Sequence, residues 1–161
     1  MIALGQRAPL VRLTDTRGTP ADVGAPGGPA LVVFLPAAFT PVCSGELAGL
    51  RRVLPRVREA GAEVLALACD SMFALRTWAE QEGLGEEPGL RVLSDFWPHG
   101  AASRAYEAFD AAAGTSTRAS YLLDGDAVVR WSTRTAPGVA RDLDEHADAV
   151  ERLLVHGTGE R

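Results

Sequence analysis

The stretch that most constrains the fold is residues 30–54, where an apolar strand pattern passes directly into a helical one. Ala30 to Leu35 is an uninterrupted apolar run, typical of a strand that is buried on both faces of a parallel sheet. From Ser44 to Leu54 the apolar residues recur at helical spacing. A strand that leads into a helix predicts an α/β fold, in which chemistry collects at the carboxyl ends of strands.

A cysteine, Cys43, lies at this strand-to-helix junction. Thr40 is predicted to be the N-cap of the helix, and Pro41 suits the first helical position because it has no N–H to lose. Unpaired backbone N–H groups and the positive end of the helix dipole then face the sulfur and favour the thiolate over the thiol. The sequence therefore predicts a reactive cysteine.

The remaining patterns predict more strands and helices around this junction. Leu10–Thr14 alternates apolar and polar residues before a turn-rich segment, which indicates an N-terminal β-hairpin extension. The first helix is expected to bend or end near Pro55. The later elements are a strand at 63–69, a helix at 71–82, a strand at 90–93, a short helix at 101–109, a hairpin of strands at 119–123 and 127–132, and a closing helix at 142–154.

Together these elements predict an α/β fold with a mixed β-sheet sandwiched by helices. The 161 residues suit one domain, residues 1–161, with a frayed tail from His156 to Arg161.

Composition excludes several classes of protein. The net charge of −5 and the pI near 5.2 argue against a nucleic-acid partner, and no apolar segment approaches the roughly 20 residues of a membrane span. The first residues lack a secretory pattern, so a cytoplasmic location is expected. Two cysteines make no disulfide framework, the three histidines are scattered and no glycine-rich phosphate loop follows a strand, so neither a metal nor a cofactor is expected.

The order βαβα followed by ββα, with Cys43 at the first strand-to-helix junction, resembles the thioredoxin fold. The block Pro36-x-x-x-Thr40-x-x-Cys43 is similar to the active-site signature of peroxiredoxins, and the resemblance spans about residues 5–154. Further matches are Glu46, Arg118 and the segment Leu93-Ser94-Asp95-Phe96-Trp97-Pro98-His99-Gly100. That last segment resembles in particular the one-cysteine alkyl hydroperoxide reductase E group of actinobacteria.

This resemblance implies a thiol peroxidase that reduces hydrogen peroxide, organic hydroperoxides and peroxynitrite in antioxidant defence, through a sulfenic acid on Cys43. It also implies a role for each residue around the sulfur. Arg118 supplies a guanidinium, Thr40 Oγ hydrogen-bonds the peroxide, Pro36 shields the thiolate, the N–H groups of Val42 and Cys43 complete the anion pocket, and Glu46, at i+3 from Cys43, holds Arg118.

Three aromatic residues are expected at the pocket rim or at a dimer interface: Phe39, Phe96 and Trp97. The alternative for Phe96 and Trp97 is that their side chains pack in the hydrophobic core. Trp97, if it lies close to the thiol, would report oxidation by fluorescence. His99 is interpreted as a turn residue, and Arg141 is placed away from the site, a second active-site arginine being the less favoured alternative.

The second cysteine, Cys69, ends the strand next to the active-site strand. It could resolve the sulfenic acid as an intramolecular disulfide, but the favoured interpretation is a small apolar residue in a buried sheet. The resemblance then implies an external reductant: a low-molecular-weight thiol, or a thioredoxin- or glutaredoxin-like protein. It also implies a homodimer.

Two other functions remain open at this point. The chain could be a redox sensor that passes oxidation from Cys43 to a partner protein by a mixed disulfide. It could also be a peroxiredoxin-like domain recruited to biosynthetic sulfur chemistry, although the intact set of Thr40, Cys43 and Arg118 argues against that.

Overall fold

The computed structural model describes residues 1–156 and contains one large sheet with helices on both faces. The helices are α1 (Pro41–Glu59), α2 (Met72–Gln81), α3 (Ala101–Ala105) and α4 (Leu143–His156). The strands are β1 (Val11–Asp15), β2 (Pro20–Val23), β3 (Ala30–Phe34), β4 (Glu63–Ala68), β5 (Leu90–Ser94), β6 (Phe109–Asp110), β7 (Thr115–Ser116), β8 (Arg118–Leu123) and β9 (Val129–Thr135). Of the frayed tail predicted from His156 to Arg161, His156 is the last residue of α4, and residues 157–161 lie outside the described residues.

The seven-stranded sheet has the order β2-β1-β5-β4-β3-β8-β9 and is mixed, as the sequence predicts. The strands β3, β4 and β5 pair in parallel, while β8 joins β3 antiparallel and then pairs with β9 as the predicted hairpin. The active-site strand β3 therefore lies inside the sheet, and all five of its residues are buried. A central strand of this kind fixes the position of the helix that follows it.

Alternate residues of the central strands enter two separate cores. Leu31 and Val33 pack with the helices α1, α2 and α4 on one face of the sheet. Val32 and Phe34 pack with α3 on the other face, where Phe34 meets two buried tyrosine rings. Because side chains alternate between the two faces of a strand, a strand that is covered on both faces is apolar at every position. An uninterrupted apolar run therefore indicates such a strand.

The predicted N-terminal hairpin is present and extends the sheet through β1, which pairs antiparallel with β5. Its turn is stabilised by Asp15, whose side chain accepts hydrogen bonds from the backbone N–H groups of Arg17 and Thr19 at 2.9 Å each. Asp15 also meets Arg91 of β5 at 2.9 Å. The hairpin is thus attached to the parallel part of the sheet by an ion pair as well as by its ladder.

Of the two outcomes expected at Pro55, a bend or an end of the first helix, the end is excluded, because the helix continues to Glu59. Proline removes the hydrogen bond to the carbonyl of residue i−4, here Arg51, and both residues are exposed, so water can satisfy that carbonyl.

The short helix predicted at 101–109 is incorrect, because α3 ends at Ala105. Glu107 has a left-handed φ of 52°, which no helix continues. Phe109 then pairs with Ser116 in the small β6–β7 hairpin, an element that the sequence did not indicate.

Candidate active site

The turn between β3 and α1 has the capping geometry expected from the sequence. Thr40 is the N-cap, with φ −78° and ψ 146°, and Pro41 begins the helix. The Thr40 side chain does not cap the helix; its Oγ1 instead donates to the Ala37 carbonyl at 2.8 Å. Phe39, just before it, has a left-handed φ of 64°, a strained conformation of the kind that is concentrated at functional sites.

Cys43 lies in the first turn of α1 with 0% of its surface exposed. The Nη1 atom of Arg118, the first residue of β8, donates to the Cys43 sulfur at 3.3 Å. A guanidinium and a helix N-terminus therefore meet at one buried sulfur. Both favour a negative charge there.

Glu46 contacts this arginine, which is the pairing expected from the family resemblance. Its Oε2 accepts from Arg118 Nη1 at 2.7 Å, and the carboxylate is almost fully buried. Because Cys43 and Glu46 are three residues apart on one helix, they share a face. The same Nη1 thus touches the sulfur and the carboxylate.

The placement of Arg141 away from the site was wrong. Its backbone N–H donates to Glu46 Oε1 at 2.8 Å. Its guanidinium bonds both carboxylate oxygens: Nε donates to Oε1 at 3.0 Å and Nη2 donates to Oε2 at 2.9 Å. Its Nη1 donates to the Ala119 carbonyl of β8 at 2.8 Å. The segment before α4 therefore folds over α1 and brings in a second buried arginine.

Glu46 is buried, which by itself would raise the pKa of its carboxyl, but hydrogen bonds and charge from Arg141 and the charge of Arg118 more than offset this and lower the pKa. The carboxylate stays ionised between two guanidinium groups. Such an arrangement fixes the arginines and the acid in one relative geometry.

Two open spaces border this cluster. One, of about 410 Å³, is lined by Pro36 and Arg118 together with the β6–β7 turn and residues 134–138. The second, of about 560 Å³, lies between the start of α1, including Val42, and residues 140–143. A small substrate can approach the guanidinium of Arg118 through the first.

The three aromatic residues predicted at the rim or an interface are at the surface and not in the core. Phe39 is 49% exposed, Phe96 53% and Trp97 81%. The core-packing alternative for Phe96 and Trp97 is therefore excluded.

A tryptophan that the sequence did not single out touches the active-site helix. Trp78 of α2 is buried, and its Nε1–H donates to Oγ of Ser44 at 2.8 Å. Its ring centroid lies 6.4 Å from that of Phe39. No local pattern could reveal this contact, because it joins two helices that are distant in the sequence.

The model of the AhpC/TSA family matches residues 4–132. The chain belongs to the AhpC/TSA family. Alkyl hydroperoxide reductase E of Mycobacterium tuberculosis is 37% identical to it over 123 residues, which cover 76% of this chain and 78% of that protein. A peroxiredoxin of Thermococcus kodakarensis is 31% identical over 160 residues, covering 96% of this chain and 73% of the relative.

Solved structures of AhpC/TSA proteins have the same fold. The chain is similar to Mycobacterium tuberculosis AhpC with a TM-score of 0.81 at 23% identity, covering 95% of this chain and 93% of that one. For Enterococcus faecalis AhpC the TM-score is 0.83 at 22% identity, with 100% and 98% covered. The predicted thioredoxin-like fold is confirmed. The prediction that the chain is a peroxiredoxin, and therefore belongs to a family of enzymes, is confirmed as well.

In this AhpC/TSA chain Cys69 lies on the sheet face opposite Cys43. Its sulfur is 3.8 Å from Oγ of Ser103 in α3, whereas Cys43 belongs to the core formed with α1, α2 and α4. Burial, with smaller contributions from the charges of Asp95 and Asp70, raises the pKa of the Cys69 thiol. Cys69 thus has the surroundings of an unreactive, protonated thiol.

The other expectations concern groups outside the cluster. His99 is exposed and bonds the Gly114 carbonyl at 2.6 Å through Nε2, which fits a turn residue. Within residues 1–156, no three His, Cys, Asp or Glu side chains are grouped so that they could hold a metal ion. Among the helices of residues 1–156, none combines the length and the apolar character that a membrane span requires.

Proposed function

We propose that this chain reduces hydrogen peroxide, organic hydroperoxides and peroxynitrite by nucleophilic attack of the Cys43 thiolate. The observation that carries the proposal is the 3.3 Å contact between Arg118 Nη1 and the buried sulfur at the start of α1. Reducing a peroxide requires an ionised sulfur, a peroxide held in line with it, and compensation for charge that moves to the leaving oxygen.

In the proposed step the thiolate attacks the terminal oxygen of the peroxide, an S–O bond forms and the O–O bond breaks. Sulfur loses two electrons to the peroxide. The other oxygen leaves as alkoxide or hydroxide and takes up a proton to become alcohol or water, or it leaves within nitrite when the substrate is peroxynitrite, and Cys43 becomes a sulfenic acid. A second equivalent of peroxide converts that acid to a sulfinic acid.

The peroxide would be held by the groups around the sulfur. Because Thr40 Oγ1 donates to the Ala37 carbonyl, its lone pairs are free to accept an O–H from the peroxide. Arg118 Nε is a buried donor that has no acceptor within the described part of the chain, and it can bond a substrate oxygen. The backbone N–H groups of Val42 and Cys43 at the helix start add further donors, and Pro36 limits water.

We propose that an external thiol completes the cycle. It displaces water from the sulfenic acid to give a mixed disulfide, and a second thiol releases the Cys43 thiol together with the disulfide of the reductant. A low-molecular-weight thiol or a thioredoxin- or glutaredoxin-like protein can supply both equivalents. The position of Cys69 on the opposite face supports an external reductant over an internal one.

The deciding experiment is rapid mixing of the reduced protein with hydrogen peroxide and with an organic hydroperoxide. We expect the wild type to react far faster than free cysteine, Cys43→Ser to be inert, and Thr40→Val to be slower by about a hundredfold. Thr40→Ser, which keeps the hydroxyl, is the matched control and should retain most of the rate. A wild-type rate no faster than that of free cysteine contradicts the proposal.

A redox sensor would share the first step, so turnover must separate it from an enzyme. Sustained consumption of peroxide with a small thiol or a thioredoxin-type protein supports the peroxidase. A single fast oxidation followed by a mixed disulfide with a partner, and no turnover, would favour the sensor. If Cys43 did not react with peroxide at all, recruitment of the domain to biosynthetic sulfur chemistry would be favoured.

We further propose that the chain forms one domain and is located in the cytoplasm. We also propose that two copies form a homodimer through the edge of the molecule near the active site. The exposed side chains of Phe39, Phe96 and Trp97 support this edge as the interface, since aromatic residues are enriched in interfaces. Analytical ultracentrifugation of the wild type and of Trp97→Glu tests the dimer. The variant is expected to shift toward monomer.

A further inference from the structure

A chain of buried hydrogen bonds continues outward from Arg141. Arg141 Nη1 donates to Oγ of Ser120 at 3.0 Å, and that oxygen lies 2.8 Å from Nε2 of His146. The other ring nitrogen of His146, Nδ1, is 2.6 Å from the Asp142 carbonyl. Ser120 and His146 are both 0% exposed, so no water competes for these bonds.

The partners fix the direction of each bond. A carbonyl can only accept, so Nδ1 of His146 carries the proton, and Nε2 of the neutral ring is an acceptor. Ser120 then donates its O–H to Nε2 and accepts from Arg141. Reversing any link would break another, so the arrangement has one consistent state.

The surroundings of His146 keep it neutral. Burial, with a further contribution from the positive charge of Arg141, lowers the pKa of His146 to about 4. The charged groups facing the ring are Arg141, Glu46 and Asp142, and from β9 it meets Trp131 edge to face, with centroids 4.9 Å apart. A protonated ring would have to turn the Ser120 hydroxyl and lie beside a guanidinium.

We propose that Ser120 and His146 are positioning residues for peroxide reduction: they hold Arg141, which holds Glu46 and through it Arg118 at the sulfur. This inference rests on the proposed peroxidase function. Neither residue touches the sulfur, and the chain of contacts assigns them an effect only through the two arginines.

The geometry at Glu46 explains how the effect reaches the sulfur. Glu46 Oε2 accepts from both Arg118 and Arg141, so a shift of one guanidinium moves the charge that orients the other. Removing the Ser120 hydroxyl would leave Arg141 Nη1 with the Ala119 carbonyl alone and would leave His146 Nε2 as a buried acceptor without a donor. Arg141 would keep its bonds to Glu46 and Ala119, but its Nη1 would lose the contact that fixes it on the side of Ser120.

The test compares two reactions of Cys43 in the full-length protein: oxidation by hydrogen peroxide and alkylation by iodoacetamide. Only the first needs Arg118 at a defined angle, so the ratio of the two rates reports positioning separately from ionisation and folding. The variants are Ser120→Ala, His146→Leu and His146→Gln, because Gln can reach Ser120 with an acceptor oxygen. Ser103→Ala is the control, since it removes a serine hydroxyl that is equally buried on the opposite face.

We expect the ratio to fall about fivefold to tenfold in Ser120→Ala and His146→Leu, and to stay within threefold of wild type in His146→Gln and Ser103→Ala. A fall of less than threefold in Ser120→Ala overturns the inference, as does a His146→Gln variant as impaired as His146→Leu. If His146→Leu fails to fold, Ser120→Ala against Ser103→Ala decides alone. A wild type no faster than free cysteine would instead refute the peroxidase function itself.

Discussion

Cys43 and Cys69 face opposite sides of the same β-sheet. Cys43 packs in the core with α1, α2 and α4, while the Cys69 sulfur contacts Ser103 of α3 at 3.8 Å. A disulfide requires Cβ atoms only about 4 Å apart. Joining the two thiols would therefore require one of them to leave its side of the sheet.

We predict that Cys69→Ser retains both the rate of oxidation by peroxide and recycling by an external thiol. The substitution is expected to change the rate by less than twofold, because the side chain does not contact the reacting sulfur. Rapid mixing gives the rate, and mass spectrometry after one equivalent of peroxide gives the products. An intramolecular Cys43–Cys69 disulfide in the wild type would contradict this prediction.

We predict that Glu46→Gln lowers both stability and peroxide reactivity. Removing the carboxylate leaves two buried guanidinium groups without their counter-charge, which should cost about 3 kcal/mol in the free energy of unfolding. The rate should fall by about tenfold or more because Arg118 loses its anchor. Urea unfolding and rapid mixing measure the two effects.

The matched control for that variant is Glu59→Gln, which removes an exposed carboxylate from the same helix. Its stability should stay within about 0.5 kcal/mol of wild type. Equal behaviour of the two variants would show that the carboxylate of Glu46 holds nothing in place.

We predict that Trp78, and not Trp97, reports oxidation of Cys43 by fluorescence. Trp78 bonds Ser44, the residue next to the thiol, at 2.8 Å, whereas Trp97 is 81% exposed. Trp78→Phe should abolish most of the change that peroxide causes, and Trp97→Phe should keep it. If Trp97→Phe abolished the fluorescence change and Trp78→Phe kept it, the turn that carries Trp97 would be the part that moves on oxidation.

We predict that His146 makes stability fall in mild acid. Its ordinary pKa of 6.5 in the unfolded chain drops to about 4 in the folded one, so the unfolded state takes up the proton first. Stability is complete above pH 6.5 and is lost as the pH falls toward 4. Between pH 7 and pH 5 the wild type should lose about 2 kcal/mol more than His146→Gln.

Urea unfolding at the two pH values measures this difference. His99→Gln, which replaces an exposed histidine, serves as the control and should keep the wild-type dependence. Parallel behaviour of wild type and His146→Gln would show that the buried ring does not resist protonation.

The sequence was sufficient for the parts of the site that lie along one element. Thr40, Cys43 and Glu46 belong to a single cap and helix, so spacing alone places them together. Arg118 was found through its place in the family pattern. The sequence predicts the central strands because a strand that is buried on both faces is a continuous apolar run, and turn residues mark where each run ends.

The sequence was insufficient where packing between distant elements decides. The sequence places Arg141 only at the start of a helix, and the approach of that segment to α1 is what brings it to Glu46. Ser120 and His146 are separated by 26 residues and share no spacing rule. The sequence also left open whether the first helix ends at Pro55, because the cost of a proline inside a helix depends on whether the carbonyl that loses its hydrogen bond faces water.

The alternation of charge in the active-site cluster has a consequence for the reaction cycle. With Cys43 as a thiolate, two anions and two guanidinium groups balance formally: the sulfur, Glu46, Arg118 and Arg141. Transfer of an oxygen atom makes the sulfur neutral and leaves the cluster with one positive charge in excess, which is costly in a buried site. In the proposed cycle the oxidised site therefore favours the approach of an anionic thiolate. Hydroxide leaves as the mixed disulfide forms, and the cluster returns to neutrality only when a second thiolate releases Cys43 as a thiolate.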